Sequence, residues 1–505
     1  MILSQQAETR GMAEGRENIV MFPFMAQGHT IPFLALALHI EKKKGYSITF
    51  VSTPLNIKKL RSAIPPTSSI RLLEIPFCSS DHGFPPNTEN TDVLPYYRII
   101  DFLHASLSLK PAFRELILNL INEQHGCPPL CIIADIFFGW TADVAKELGV
   151  FHAIFSGAGG FGLACYYSIW GSLPHRNADS DEFLLHDFPE ASRIHVTQLP
   201  KNMLDADGTD SWSVFQGKNL PRWFNSDGVL FNTAGEFDKI GLEYFRRKLG
   251  RPAWPVGPIL LSMEGRARSG RESEITSELC NKWLDAKPAN SVLYIAFGSQ
   301  NTISGSQMKQ LAMALEDSGT NFIWVVRPPL GFDINSEFKA GEWLPEGFEQ
   351  RIQDQKRGLL VHKWAPQLEI LSHKSVSAFL THCGWNSVLE ALSHGVPLMG
   401  WPMAAEQFFN SMLLEKEVGV SVEVARGPTC EVKHEDITKK IELVMNETEK
   451  RKEMRRKACE VRDMIKDAIR DDEGFKGSSV KVMDEFFNAA FSQWGRTKLG
   501  QNHEY

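Results

Sequence analysis

The sequence predicts an α/β protein of two domains, each built on a parallel sheet with both faces covered. Three observations predict it. The chain has 505 residues, more than one hydrophobic core usually supports, so two units of roughly 200–250 residues are expected. Short apolar segments alternate with helical ones, the pattern of strands joined by crossover helices. The alternation runs in two series separated by a polar stretch, Gly265–Ser277, rich in Arg, Glu and Ser. With 43% apolar and 10% aromatic residues, the chain can fill both cores.

In order along the chain, residues 1–17 read as an unstructured extension, with Met12 as an alternative start. The first series places strands at Asn18–Phe22, Ser47–Ser52, Ile70–Ile75, Leu130–Ala134, Phe151–Ser156 and Gly228–Asn232, all short apolar runs. Lys42-Lys-Lys44 reads as the solvated end of the first helix. Trp254-Pro-Val-Gly-Pro-Ile259 closes this series. The second series begins at Ser291–Phe297 and continues through Asn321–Val326, Gly358–His362, Val376–Leu380 and Val396–Gly400. The charged stretch Glu447–Asp472 reads as long surface helices, and Ser479–Trp494 as a last helix. The expected division is therefore an extension at 1–17, a first domain at 18–258, a linker at 259–278, a second domain at 279–475 and a terminal helical segment at 476–505.

Composition excludes several classes. A net charge of −7 argues against a nucleic-acid groove, and no basic run marks an anionic membrane patch. No apolar stretch reaches the ~18 residues of a spanning helix, and no signal-peptide core opens the chain. The eight cysteines are scattered without a CxxC pair. Cys127 and Cys131 lack partners at zinc spacing, so neither a disulfide framework nor a metal site is expected, and a reducing cytosol is the simplest home.

The densest chemistry lies between Trp364 and Gln407. Val376–Leu380 reads as a buried strand, and Asn386–His394 as a helix stopped by Gly395 and Pro397. Between them Thr381-His-Cys-Gly-Trp-Asn-Ser387 places small and capping residues at a helix N-terminus, whose free N–H groups and partial positive charge suit a phosphate. Glu390 follows Asn386 by four residues and so lies on the same helix face, one turn deeper. Singly, each residue has a plainer reading: Trp364 as core, Asn386 and Ser387 as caps, His382 as a buried histidine. Their joint order and spacing favour a binding site.

This stretch resembles, end to end and without gaps, the signature box of the plant secondary-product UDP-glycosyltransferases, the UDP-dependent enzymes of glycosyltransferase family 1. The resemblance extends from Met21-Phe-Pro-Phe-Met-Ala-Gln-Gly-His-Thr30 to the last helix near Phe486. It implies two facing Rossmann-like lobes of the GT-B type, with the last helix returning to the first lobe and a UDP-sugar held by the second. Carried over by position, Trp364 would stack on uracil and Gln367 would stand beside the base and ribose, with Ala365 also among the UDP-sugar-binding residues. His382, Asn386 and Ser387 would hold the diphosphate, Glu390 the ribose hydroxyls, and Trp385, Glu406 and Gln407 the sugar. Glu406 stands where many relatives have Asp. Ser299, in Phe297-Gly-Ser-Gln300, resembles the family's loop beside the diphosphate. Trp324 and Arg327, in Phe322–Arg327, are expected near the donor or simply in a core strand. Gln407 can present donor and acceptor groups to sugar hydroxyls, and in the family Gln here accompanies glucose more often than galactose. The resemblance implies no cofactor and no metal, the UDP-sugar being a co-substrate, and a cytoplasmic monomer.

Catalysis would fall to the first lobe. His29 lies between the first strand and its helix, and Asp135 ends the strand Leu130–Ala134, so both sit at one sheet edge, where ligands collect in open α/β sheets. Each alone has a structural reading, a helix-start cap or a turn acid. In the family these positions form a pair in which the acid orients the imidazole, leaving its other nitrogen to take the acceptor's proton. A phenol of pKa ~10 giving its proton to an imidazole of pKa ~6.5 is uphill by roughly 5 kcal/mol. Proton transfer should therefore accompany attack on the anomeric carbon. The resemblance implies inversion.

Two alternatives are carried. Gly157-Ala-Gly-Gly-Phe-Gly162 follows a strand and satisfies GxGxxG, as a dinucleotide-binding oxidoreductase requires, although no second strand carries the acid about 20 residues on. The other is a non-catalytic UDP-sugar binder. Gly157 also departs from relatives that place Ser or Thr there to contact the sugar, a role left to Ser156 or water. Phe24, Met25, Phe138, Trp140 and Phe161–Trp170 are candidates for an apolar acceptor pocket, bordered by the loop Cys78–Pro95. A flavonoid, simple phenol or terpenoid is the expected acceptor.

Overall fold

The computed structural model describes residues 17–261, 275–362 and 364–501. The expectations for the extension, Met12 and most of the linker fall outside these residues. Five strands of the first lobe form as short, wholly or largely buried runs: β1 (Asn18–Phe22), β2 (Ser47–Ser52), β4 (Cys131–Asp135), β5 (His152–Ser156) and β8 (Gly228–Phe231). Two edge strands, β3 (Arg71–Glu74) and β9 (Ala253–Pro255), complete a sheet in the order β3-β2-β1-β4-β5-β8-β9. All its pairings are parallel. β6 (Glu182–Phe183) and β7 (Ile194–His195) make a separate antiparallel pair.

The second sheet runs β12-β11-β10-β13-β14-β15. Its strands are β10 (Val292–Ala296), β11 (Asn321–Val326), β12 (Gly358–His362), β13 (Val376–Thr381), β14 (Leu398–Gly400) and β15 (Ser421–Glu423). These pairings are also parallel. Each sheet reverses its strand order once near its centre, between β1 and β4 and between β10 and β13. At such switch points the loops leaving adjacent strands part and open a crevice. His29 and Asp135 belong to the first crevice, and the 297–300 and 381–387 loops to the second.

Two strands were not legible in the sequence. β9 overlaps the stretch that reads as the end of the first series, because Pro255 argues against a strand interior; on an edge strand its missing N–H costs no ladder bond. β15 is only three residues long and carries too little pattern to read. The charged stretch is one helix, Glu449–Ile469, with Met454, Ala458, Val461 and Ile465 on its buried face.

The last helix, Ser478–Gln501, returns to the first lobe. Met483, Phe486, Phe487 and Ala490 share a core with Ile19, Phe50 and Trp254. Phe486 meets Trp254 edge-on with ring centroids 5.2 Å apart, and the Trp494 indole donates to the Pro128 carbonyl at 3.0 Å. The basic end of the first helix is consequently not simply solvated: Lys44 pairs with Asp484 of this last helix, and Lys43 with Asp471 at 3.4 Å. A further core joins the lobes, with Phe161 and Tyr244 of the first beside Trp385, Phe409 and Met412 of the second.

Candidate active site

The helix after β1 begins at Gln27, so His29 sits in its first turn rather than in a preceding loop. β4 pairs in register with β1 and ends on Asp135. The two side chains meet: His29 Nδ1 lies 2.8 Å from Asp135 Oδ2. Asp135 is 1% exposed and its other oxygen accepts the Phe137 N–H at 3.0 Å, which fixes the carboxylate. Phe24 stands edge-on to the imidazole at 5.6 Å and Phe137 lies against it at 5.3 Å. Burial lowers the His29 pKa, but the Asp135 charge and hydrogen bond outweigh it and hold the pKa above its ordinary value. Nδ1 is taken by the acid, so Nε2 is the nitrogen left to accept a proton.

A cleft opens in front of His29. Its far side is the second lobe, where Ser299, Trp364, Gln367, His382, Trp385, Asn386, Ser387, Glu406 and Gln407 all contribute to the wall. Gly384 caps the helix Trp385–Ser393 without a side chain, so its first-turn amides are left for a ligand anion. His382 is held at pKa about 4 by burial and by Arg327, and it is neutral at pH 7. Gly298 is in the left-handed region at φ 77°, and a Cβ there would lie 2.6 Å from the His382 ring. The glycine is required by both its backbone and the close approach. Arg327 donates to the Ser299 carbonyl, and its guanidinium lies 5.2 Å from the Trp364 ring centroid. It thus braces two donor-side residues, whereas Trp324 is buried in the core.

Other candidates are placed differently. Glu390 is 1% exposed and lies behind Gln367, whose amide donates to Glu390 Oε2 at 2.6 Å and to Ser387 Oγ at 3.2 Å. Ala365 packs against the core rather than on the cleft wall. The Trp385 indole reaches across to the first lobe, donating to the Asn232 carbonyl at 3.2 Å and stacking on Phe237 at 5.5 Å. Asn386 also crosses, donating to the Gly28 carbonyl at 3.1 Å. Gln407 spends its carbonyl oxygen on the Met403 and Ala404 N–H groups, both at 3.0 Å, which leaves its NH₂ for a ligand. Glu406 is raised in pKa by burial and interacts with His29 across the cleft. Cys383 and Ala405, next to His382 and Glu406, adopt positive φ of 61° and 51°, strained positions at the site itself.

The acceptor end is partly as expected. Phe24, Leu163 and Tyr166 line it, as do Thr91 of the 78–95 loop and Tyr96 just beyond it, whereas Met25, Phe138, Trp140, Phe161 and Trp170 are core. Ile99, Ile136, Phe137, Asn202 and Trp212 also line it and were missed. Phe137 carried a signal, standing two residues beyond Asp135; Asn202 and Trp212 arrive from distant segments and carried none. The Tyr166 hydroxyl accepts from Gln216 at 3.0 Å. Gly157 has no room for a side chain, since a Cβ would sit 2.9 Å from Pro32 Cγ. Ser156 does not replace it, because its hydroxyl is bound to the backbone of Ala158 at 3.1 Å.

The GxGxxG segment is not a phosphate cradle. The amides of Gly160 and Phe161, which would meet a diphosphate, donate to the buried Asp238 carboxylate, the second at 2.9 Å. A Cβ on Gly159 would strike Trp385, and one on Gly162 would strike Asn410, so these glycines serve packing between the lobes. Among the described residues, no cluster of three or more His, Cys, Asp or Glu could hold a metal ion, and no helix is long and apolar enough to cross a membrane.

Comparison with known proteins adds the following. A family model described as UDP-glucoronosyl and UDP-glucosyl transferase matches residues 249–460. The chain is similar to UDP-glycosyltransferase 92A1 of Arabidopsis thaliana, 55% identical over 488 residues, which cover 95% of this chain and 99% of that protein. It is 42% identical over 439 residues to crocetin glucosyltransferase 3 of Crocus sativus, covering 85% and 90% of the two chains. Among solved structures it resembles Glycyrrhiza uralensis UGT73P12 complexed with glycyrrhetinic acid 3-O-monoglucuronide, with a TM-score of 0.82 and 29% identity, covering 97% of this chain and 98% of that one.

Proposed function

The chain belongs to the UDP-glucoronosyl and UDP-glucosyl transferase family, and we propose that this glycosyltransferase moves glucose from UDP-glucose, with inversion, to a hydroxyl or carboxyl group of a small lipophilic acceptor such as a flavonoid, phenolic or terpenoid. The observation that carries the proposal is the His29–Asp135 pair at 2.8 Å, facing a cleft whose opposite wall carries the donor-box residues. In this reading the acceptor oxygen bonds to the anomeric carbon as the bond from that carbon to the UDP oxygen breaks. The hydroxyl proton passes to His29 Nε2, and Asp135 stabilises the imidazolium that results. The departing diphosphate gains charge next to the first-turn amides of the Trp385–Ser393 helix, which need no reorganisation to receive it. Ser299, Trp364, Gln367, His382, Asn386, Ser387, Glu406 and Gln407 are the donor contacts in this reading, with Ala365, Trp385 and Glu390 supporting them from behind or from the lobe seam.

Glucose as the sugar and an apolar acceptor are supported by the glucosyltransferase relatives and by the walls formed by Phe24, Ile136, Phe137, Leu163 and Trp212. We propose the lobe division at 18–258 and 279–475, with 259–278 as linker and 476–505 as the returning segment. We also propose a cytoplasmic monomer: all eight cysteines are unpaired, as in a reducing compartment, and size-exclusion chromatography with light scattering reads the mass directly.

The test is a transfer assay with UDP-glucose and a panel of flavonoids, phenols and terpenoid alcohols, read by mass for a hexose gain. His29→Ala is expected to lower kcat/KM by about a thousandfold while UDP still binds. Retained turnover in that variant would remove His29 as the base.

A further inference from the structure

We propose that Asp92, with Gln27 and Asn335, is a positioning set through which the donor-binding lobe holds the catalytic histidine in place. The inference rests on the donor site and the base proposed above. His29 stands two residues from Gln27, the first residue of its helix. The Gln27 amide donates to Asp92 Oδ2 at 3.1 Å, and both residues are at most 4% exposed. The Thr91 N–H donates to the Met25 carbonyl at 3.1 Å, so residues 91–92 lie along the turn that carries the base.

The second lobe grips the same two residues. Asn335 Nδ2 donates to the Asp92 carbonyl at 3.2 Å. Gln300, next to Ser299 in the loop after β10, donates to the Thr91 hydroxyl. The second lobe therefore holds residues 91–92 at two points, Gln300 from the donor loop and Asn335 from the segment after β11, and residues 91–92 hold the turn at two more, Gln27 donating to Asp92 and Thr91 to Met25. A buried carboxylate with a polar partner has a strong orientational preference, because turning it away would leave a polar group unsatisfied. A UDP-sugar that settles the 298–301 loop thereby also settles the turn that aims His29 Nε2 at the acceptor. Ligand energy spent at one lobe then fixes geometry at the other, which is the condition for a near-attack arrangement.

Asp92 and Asn335 do not touch the reacting atoms in this scheme; they act through the 24–29 turn. A purely structural role would lower stability without linking the lobes, so the decisive measurement is hydrogen exchange of the peptide covering residues 24–30, with and without UDP, with UDP affinity measured by calorimetry on the same samples. In the unaltered chain UDP is expected to slow this exchange by about tenfold, although the nucleotide sits on the other lobe. In Asn335→Ala, an exposed position that leaves the cores intact, and in Asp92→Ala, each of which removes one hold while Gln300 keeps the Thr91 hydroxyl, UDP should bind with affinity within about twofold of the unaltered chain while the slowing falls to about threefold or less. Asp92→Asn, whose amide oxygen still accepts from Gln27, should retain it. In transfer assays Asn335→Ala should lower kcat by about tenfold with little change in the KM for UDP-glucose. Undiminished slowing in either alanine variant overturns the proposal, as does UDP binding to the unaltered chain without any slowing. Failure of UDP to bind at all would instead sink the donor site on which the proposal stands, and this inference with it.

Discussion

At the scale of single residues, the His29–Asp135 contact dictates the pH behaviour. His29 must be neutral to accept a proton, and burial, which lowers its pKa, is outweighed by Asp135, which raises it. The acid limb of kcat/KM, which reports the free enzyme, should accordingly have its midpoint above ~6.5, the value of an unperturbed histidine. Asp135→Asn removes the charge, so the limb should move to lower pH while the plateau falls by about a hundredfold or more; a pH–rate profile of the two proteins reads both effects. The same shift has a stability consequence of defined sign. The raised folded pKa means that the pair's contribution is fully present below the unfolded histidine pKa and is lost as pH rises through the folded one. Gln407 illustrates how a residue's chemistry narrows on folding. As a residue type it offers donor and acceptor groups, but two backbone N–H groups occupy its oxygen, so what it presents to the cleft is its NH₂ donor.

At the scale of elements, the glycines of the 157–162 segment serve helix crossings. The helix Gly160–Ser172 crosses Lys239–Leu249 so closely that a Cβ on Gly241 would overlap the Gly160 and Phe161 backbone. Gly241→Ala is therefore expected to destabilise the first lobe by about 3 kcal/mol or more, read as a lower denaturant midpoint, since backbone cannot yield as a side-chain tip does. The same segment shows why a motif read from sequence needs its context. Strand, glycines and helix are all in place, yet Asp238 occupies the amides that a dinucleotide would need. The helix Trp385–Ser393 is the converse case, with the same kind of N-terminus left open by Gly384.

At the scale of the whole molecule, the last helix ties the end of the chain to the first lobe. Phe486 is fully buried against Trp254 and Phe151. Phe486→Ala should cost about 3–5 kcal/mol and lower the unfolding midpoint of the first lobe, while UDP affinity, which the proposed function places on the other lobe, should stay within about twofold. Most of the strands and most of the candidate residues that the fold brings to the cleft were legible in the sequence, because buried parallel strands are short apolar runs and because the candidate donor box is contiguous from Trp364 to Gln407. The strand β9 was not, since Pro255 hides an edge strand whose neighbours alone make it one. Nor were Asn202 and Trp212 legible as cleft residues, or Glu390 as the residue behind Gln367. The sequence by itself determined the class of fold and marked the 364–407 box and the His29 and Asp135 positions as candidates, all of which reside in local pattern and in residue type. Only the tertiary structure decided which side chains face the cleft, which glycines serve packing, and how Asn335, Asp92 and Gln27 join the lobes, because those contacts bring together segments far apart along the chain.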